Sequence, residues 1–228
     1  MKPDISAVIM AFNEKDTLKS VVTEIDSVLK AIGQSYEVLI IDDGSSDGTA
    51  AIADKLTQEF IHVRPIHHDA NKGLGGVYRT GFAQARGDLV TFFPADGQFP
   101  ASIIKEFVKL LNGSDMVLGY LPNRRDSLLS KILSKAERCL FKFLFGKLPD
   151  FQGVMMFKRH LLDEIELKSK GRGWTVLMEL IIRAHKAGYK VLSAPTQMRQ
   201  RASGRSKVNN PSTILANLGQ AIALSRYI

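Results

Sequence analysis

A single cysteine, Cys139, in 228 residues leaves no partner for an internal disulfide. No Cys/His cluster has zinc-ligand spacing, so a reduced, cytoplasmic setting fits best. Long hydrophobic runs are missing too. None approaches the length that spans a bilayer, and Met1-Lys2-Pro3-Asp4 lacks the apolar stretch of a secretory leader. The chain ends in an apolar-rich stretch, Leu215 to Ile228, which leaves room for a membrane segment beyond it. Acidic residues are absent after Glu179. Residues 1–100 carry 9 Lys/Arg against 14 Asp/Glu, whereas residues 101–228 carry 22 against 9. A basic half of this kind suits nucleic acid, an anionic membrane or a phosphorylated substrate; its plainest explanation is a solvated surface.

What is present is an ordinary globular composition, 45% hydrophobic and 24% charged, long enough to bury a sizeable core. The first half alternates strand and helix signals. Apolar runs at Ile5–Phe12, Glu37–Asp42, Ile61–His67, Asp88–Phe93 and Asp115–Gly119 predict buried strands. Helical spacing predicts helices over Asp16–Ile32, Gly48–Phe60, Gly75–Ala85 and Pro100–Asn112, the last with proline as its first residue. Repeated strand–helix units imply a mainly parallel sheet with helices on both faces, a Rossmann-like α/β fold. The second half adds a basic amphipathic stretch over Arg125–Phe145, a helix at Trp174–Ala187 and a strand at Tyr189–Pro195. The amphipathic stretch suits a membrane interface or a helix packed on the sheet equally well. No repeat, low-complexity segment or linker divides the chain.

Ligands of such sheets bind outside the carboxyl ends of the strands. Asn13-Glu14, Asp42-Asp43 and Asp96-Gly97-Gln98 each fall just after an apolar run, so they share one rim. Carboxylates there can accept hydrogen bonds from a base and from ribose hydroxyls. Asp42-Asp43-Gly44-Ser45-Ser46-Asp47-Gly48-Thr49 also fits a simple turn that caps a helix. Asp96 and Gln98 offer hard oxygen donors suited to Mg²⁺ or Mn²⁺ on a diphosphate, although Asp-Gly turns are common. Asn71-Lys72-Gly73-Leu74-Gly75-Gly76 lacks the third glycine of a dinucleotide fingerprint, which is Tyr78, and lacks a P-loop ending. It predicts a close-approach turn opening a helix. Arg201-Ala202-Ser203-Gly204-Arg205-Ser206-Lys207 is a basic loop able to grip phosphate.

In this order and spacing the chain resembles glycosyltransferase family 2, and within it the branch that uses dolichyl or polyprenyl phosphates. The matching pieces are Val8 to Glu14, the octet at 42–49, Asn71-x-Gly73, Ala85-Arg86-Gly87-Asp88, Asp96-Gly97-Gln98, Asp150-Phe151-Gln152-Gly153 before a short strand, Glu179-Leu180-Ile181, Gly188-Tyr189 and Arg201-x-x-Gly204-x-Ser206-Lys207. Two positions depart from the pattern. Met10 stands where the family has proline, and Pro94 stands where the first metal-motif aspartate is expected. Proline cannot ligate a metal.

The resemblance implies the nucleotide-diphospho-sugar transferase (GT-A) fold and inversion at the sugar's anomeric carbon. It implies one glycosyltransferase domain over 1–228, binding nucleotide-sugar through 1–119 and acceptor phosphate through 120–228. Asn13, Glu14, Asp42, Asp43 and Lys72 would hold the donor, and Asp96 and Gln98 a Mg²⁺ or Mn²⁺ ion. Arg201, Ser206 and Lys207 would bind the donor diphosphate or the acceptor phosphate, with Arg125 near the latter. Asp96, Arg201 and Lys207 would carry the catalytic charge. The expected partners are a nucleotide-sugar, a lipid phosphate and the cytoplasmic face of a membrane, but no nucleic acid. Three other readings stay open, one of them a nucleic-acid-binding domain, suggested only by the overall basic charge and opposed by the aspartate-rich strand ends. A hydroxyl acceptor would need a positioned base, for which Glu179 is the one helix carboxylate to nominate. A non-catalytic nucleotide-sugar-binding relative is the third, prompted by Pro94.

Overall fold

Apolar runs set between turn residues become the strands of one seven-stranded sheet, ordered β3-β2-β1-β4-β6-β5-β7. A computed structural model describes residues 2–122, 142–199, 219, 222–226 and 228. Cys139, Arg125, the whole Arg201–Lys207 motif with Ser206, and most of the 125–145 stretch lie outside the described residues. The strands are β1 Ile5–Ala11, β2 Tyr36–Asp42, β3 Val63–His67, β4 Leu89–Pro94, β5 Met116–Tyr120, β6 Met155–Lys158 and β7 Val191–Pro195. The helices are α1 Leu18–Ile32, α2 Thr49–Glu59, α3 Gly73–Gln84, α4 Ile103–Leu111, α5 His160–Glu164 and α6 Thr175–Lys186.

β1 pairs in parallel with β2 on one side and β4 on the other, and β2 pairs in parallel with β3. Among the described strands only β6 runs against its neighbours, β4 and β5. The mainly parallel sheet expected from the sequence is therefore present. Successive strand residues face opposite sides, as a pleat requires. Ile5, Ala7 and Ile9 join the core under α1, α2 and α4, while Val8, Leu39 and Ile41 join the core under α3, α5 and α6. Helices thus cover both faces.

α4 begins later than Pro100. The amide of Ile103 donates to the carbonyl of Pro100 and that of Ile104 to Ala101, a tight turn that precedes the helix. Pro94 closes β4 without breaking it. Odd-numbered amides of β4 face β1, as Ala95 N–H does in donating to Met10 O at 3.0 Å. The missing amide of Pro94 therefore lies on the β6 side, where pairing has already stopped at Phe92 and Met155.

The strand order places a switch point at β1: the chain leaves it toward β2 and β3, then returns to its other side as β4. The crevice outside the carboxyl ends of β1 and β4 is where such sheets bind ligands.

Candidate active site

The loops after β1 and β2 are laced together. Asn13 donates its amide to Ser45 Oγ at 2.9 Å, and its Oδ1 accepts the amide of Ser46 at 2.9 Å. The amides of Glu14 and Lys15 reach Thr49 Oγ1 and Asp47 Oδ2. Asn13 has φ 53°, a left-handed conformation that asparagine tolerates better than most residues. Gly44 is required for a second reason. At φ +71°, a Cβ there would sit 2.8 Å from the backbone of Ala70 and Asn71, so the 70–73 loop closes directly over it.

Asp42 and Asp43 end β2 almost fully buried, at 2% and 3% exposure. Asp42 accepts the amide of Ser45 and faces His67 Nδ1 at 3.3 Å. The other nitrogen of His67 meets Asp54 of α2 at 3.0 Å. Burial pushes the imidazole's pKa down, but hydrogen bonds to Asp54 and Asp42 and their charges outweigh it, so His67 titrates above its ordinary range.

Asp43 turns inward. Its Oδ1 meets His68 Nδ1 at 2.7 Å and accepts the amide of Lys72 at 2.9 Å; Oδ2 accepts the amide of Gly73 at 2.9 Å. The far nitrogen of His68 meets Thr80 Oγ1 at 2.8 Å. Lys72, the N-cap residue of α3, makes no side-chain cap, so Asp43 supplies the anion that satisfies this helix start. Asp43, expected on the rim to hold the donor, is instead buried under the start of α3 and spends both oxygens on structural contacts. The part played by the two histidines has no local signal, because their partners lie 12 to 25 residues away.

The glycine-rich start of α3 is the close-approach turn expected. Gly75 donates its amide to Arg172 O at 2.8 Å, and a Cβ on Gly73 or Gly75 would collide with the backbone of Arg172 or Gly171. Arg172 Nη2 donates to the carbonyl and Oδ1 of Asn71, and Arg79 to the carbonyl of Gly171. The 168–172 loop is held from behind by Glu179, which is fully buried. Glu179 accepts the amides of Lys168 and Ser169 and the Nε of Arg183 at 2.7–3.0 Å. This overturns its nomination as a general base: both carboxylate oxygens are taken up by structural hydrogen bonds, and solvent does not reach them.

Asp96, 7% exposed, begins the turn after β4 and accepts the amide of Gln98 on Oδ1 at 3.1 Å. Gly97 adopts φ 70°. The turn is tied to β1 through Ala95 and Met10, while Asp43 N–H donates to Ala11 O. The ends of β2 and β4 thus meet on either side of the end of β1, bringing Asn13, Glu14, Asp42 and Asp96 to one crevice. Lys72, exposed, stands at its α3 margin. Among the described residues no group of three or more His, Cys, Asp or Glu side chains could hold a metal. One carboxylate and one amide oxygen on a single turn fit Mg²⁺ or Mn²⁺ when a diphosphate supplies further oxygens, the usual way Mg²⁺ is bound at phosphate sites.

A model of glycosyl transferase family 2 matches residues 6–165. The chain belongs to that family. It is 28% identical to dolichol-phosphate mannosyltransferase of Pyrococcus furiosus, over 98% of this chain and 64% of that protein. It is 34% identical to undecaprenyl-phosphate 4-deoxy-4-formamido-L-arabinose transferase of Klebsiella pneumoniae, over 70% of this chain and 50% of that protein. The chain therefore spans about half to two thirds of the length of these relatives. Among solved structures it resembles glucosyl-3-phosphoglycerate synthase of Mycobacterium tuberculosis in complex with Mn²⁺, UDP and phosphoglyceric acid. The TM-score is 0.74 at 17% identity, covering 98% of this chain and 78% of that one. Mannosyl-3-phosphoglycerate synthase of Rubrobacter xylanophilus gives 0.70 at 18% identity, covering 99% and 74%. The fold is that of the GT-A nucleotide-sugar transferases.

Proposed function

We propose that the protein is an inverting glycosyltransferase that moves a sugar from a GDP- or UDP-sugar to a polyprenyl or dolichyl phosphate, working as one domain over 1–228 at the cytoplasmic face of a membrane. The observation that carries the reading is the convergence of Asn13, Glu14, Asp42 and Asp96 at the β1–β4 switch point. Asn13, Glu14 and Asp42 hold the donor nucleoside. Asp43 shapes the same pocket by fixing the 67–73 loop, with Lys72 beside it. Asp96 and Gln98 hold a Mg²⁺ or Mn²⁺ ion that neutralises charge on the diphosphate when bound. The described chain reaches Arg199 beside Gln98, and Arg201, Ser206 and Lys207 follow within eight residues as the phosphate-binding segment.

The acceptor's phosphate oxygen attacks the anomeric carbon from the side opposite the leaving group. The new C–O bond forms as the bond to the nucleoside diphosphate breaks, which inverts the centre. A phosphate acceptor is already anionic at neutral pH, so no base need take a proton. The burial of Glu179 removes the one base nominated for a hydroxyl acceptor. A cavity of about 440 Å³ beside the start of α6 is lined by Lys168, Lys170 and Thr175 on one part and by Ala223 and Leu224 on another. It offers cations and an apolar wall together, as a lipid phosphate would use. Phe143, 87% exposed between Lys142 and Lys147 in sequence, supports contact with an anionic bilayer. No helix among the described residues is long and apolar enough to cross a membrane.

The test is transfer of radiolabelled sugar from UDP- and GDP-sugars to a synthetic polyprenyl phosphate, with and without Mn²⁺, beside a saccharide acceptor. Lipid-linked product, lost in Arg201→Ala and Lys207→Ala, is the expected result. Product on the saccharide alone would sink the lipid reading, and no product with tight nucleotide-sugar binding would favour a non-catalytic relative.

A further inference from the structure

The Asp96-Gly97-Gln98 turn is held from outside by a carboxylate that the donor reading does not use. Glu24 of α1 accepts the amide of Ala101 on Oε1 at 3.0 Å. The same carboxylate takes both terminal nitrogens of Arg199, Nη1 on Oε2 at 2.8 Å and Nη2 on Oε1 at 2.9 Å. Arg199 then donates its own amide to the carbonyl of Gln98 at 2.7 Å. One carboxylate therefore grips both flanks of the turn, the Ala101 side directly and the Gln98 side through Arg199. Beneath the turn, Gly153 lies so close to the ring of Phe99 that a Cβ would overlap it.

We infer that Glu24 and Arg199 form a positioning pair that fixes the Asp96–Gln98 turn so that it can share a divalent cation with a nucleoside diphosphate. The inference rests on the reading of that turn as the cation site. Three arguments support it. A two-pronged arginine–carboxylate pair sets orientation as well as distance. The two side chains are 51% and 34% exposed, and a surface pair contributes little to folding, so its value lies in geometry. Finally, Pro94 leaves the turn with one carboxylate and one amide, so a badly aimed Asp96 has no second anion to compensate for it. The hydrogen bond from Arg199 also lowers the pKa of the Glu24 carboxyl, as a carboxylate paired with a guanidinium should show.

The experiment is Mn²⁺ titration by calorimetry in the presence of UDP, and separately GDP, on the full chain. The variants are Glu24→Ala, Arg199→Ala, the double variant, Arg199→Lys and Asp96→Asn, each also followed by thermal unfolding without ligand. Outer partners of metal ligands commonly set affinity by one to two orders of magnitude, so each single change should weaken Mn²⁺-dependent nucleotide binding about tenfold. The double variant should be no worse than either single one, because the two residues act as a unit. Arg199→Lys keeps the charge but loses the fork, so it should weaken binding like Arg199→Ala, and it stands in for Glu24→Ala should that variant unfold. Wild-type binding in Arg199→Lys and Glu24→Ala, with binding lost in Asp96→Asn, would overturn the pair and leave the cation site standing. Wild-type binding in Asp96→Asn would overturn both.

Discussion

Asp43 and His68 meet at 2.7 Å beneath the first turn of α3, both almost fully shielded from solvent. Around this contact the chain solves a local problem. α3 starts with Lys72-Gly73, which brings no capping side chain of its own, and the carboxylate from β2 accepts both amides.

The first prediction follows from that contact. Asp43→Ala leaves two helix-start amides and a buried imidazole without their acceptor. Hydrogen bonds to a buried charge are worth about 1.5–3 kcal/mol each, so the loss should be at least about 3 kcal/mol. Urea unfolding checks it: the midpoint should fall with little change in slope. A variant as stable as wild type but unable to bind UDP or GDP would return Asp43 to a purely ligand-facing role.

The second concerns His67, whose two ring nitrogens face Asp42 and Asp54. Both contacts are hydrogen bonds only when both nitrogens carry protons, and the raised pKa agrees with that. A raised folded-state value means the contribution is fully present below the ordinary histidine pKa of 6.5 and is lost as pH rises through the folded value. The stability gap between wild type and His67→Asn should therefore shrink between pH 6 and pH 8, on the order of one titration step. Denaturation at several pH values, with NMR titration of the ring, measures it. A gap that widens with pH would show that the imidazole is held neutral.

The third separates structure from chemistry at Glu179. Hydrogen bonds to a charged group are worth about 1.5–3 kcal/mol each, and Glu179 accepts them from two backbone amides and the Arg183 side chain. Glu179→Gln should lower the unfolding midpoint sharply through Arg183 and the 168–169 amides. Whatever folded fraction remains should keep the wild-type pH–rate profile. Intact stability with a collapsed rate and a lost acidic limb would restore Glu179 as a base.

Much of this architecture was legible because its signals are local. The apolar runs of β1, β2 and β4 and the helical spacing of α1 and α6 each declare themselves within a dozen residues. β6, only four residues long, and α5, only five, are too short to carry a period and were reached through the family resemblance or not at all. Site residues divide the same way. Asn13, Asp42 and Asp96 could be placed on the rim because each follows a strand. The inward turn of Asp43 could not, because it depends on an amide 30 residues later. The Glu24–Arg199 clasp spans 175 residues and has no local trace.

Pro94 sits where its family places a carboxylate, and the sheet shows why the chain tolerates it. Its missing amide falls beyond the Phe92–Met155 pair, where the ladder between β4 and β6 ends, so no ladder hydrogen bond is lost. The same geometry makes Pro94→Asp feasible: the restored amide enters no crowded ladder, and position 94 is only half-buried. The chemical effect should be larger than the structural one. In the wild type the turn offers Asp96 and Gln98, too few donors to hold Mg²⁺ or Mn²⁺ until a diphosphate adds its oxygens. Mn²⁺ should thus bind weakly to the free protein and well with UDP or GDP present. A second carboxylate should tighten binding to the free protein by about tenfold or more, since affinity for hard cations rises with the anionic ligand count. Asp96→Ala should abolish binding in both states, because no other carboxylate of the motif remains. The measurement is Mn²⁺ titration of wild type, Pro94→Asp and Asp96→Ala, with and without nucleotide. Tight binding by the free wild type, or undiminished binding by Asp96→Ala, would move the cation site away from this turn.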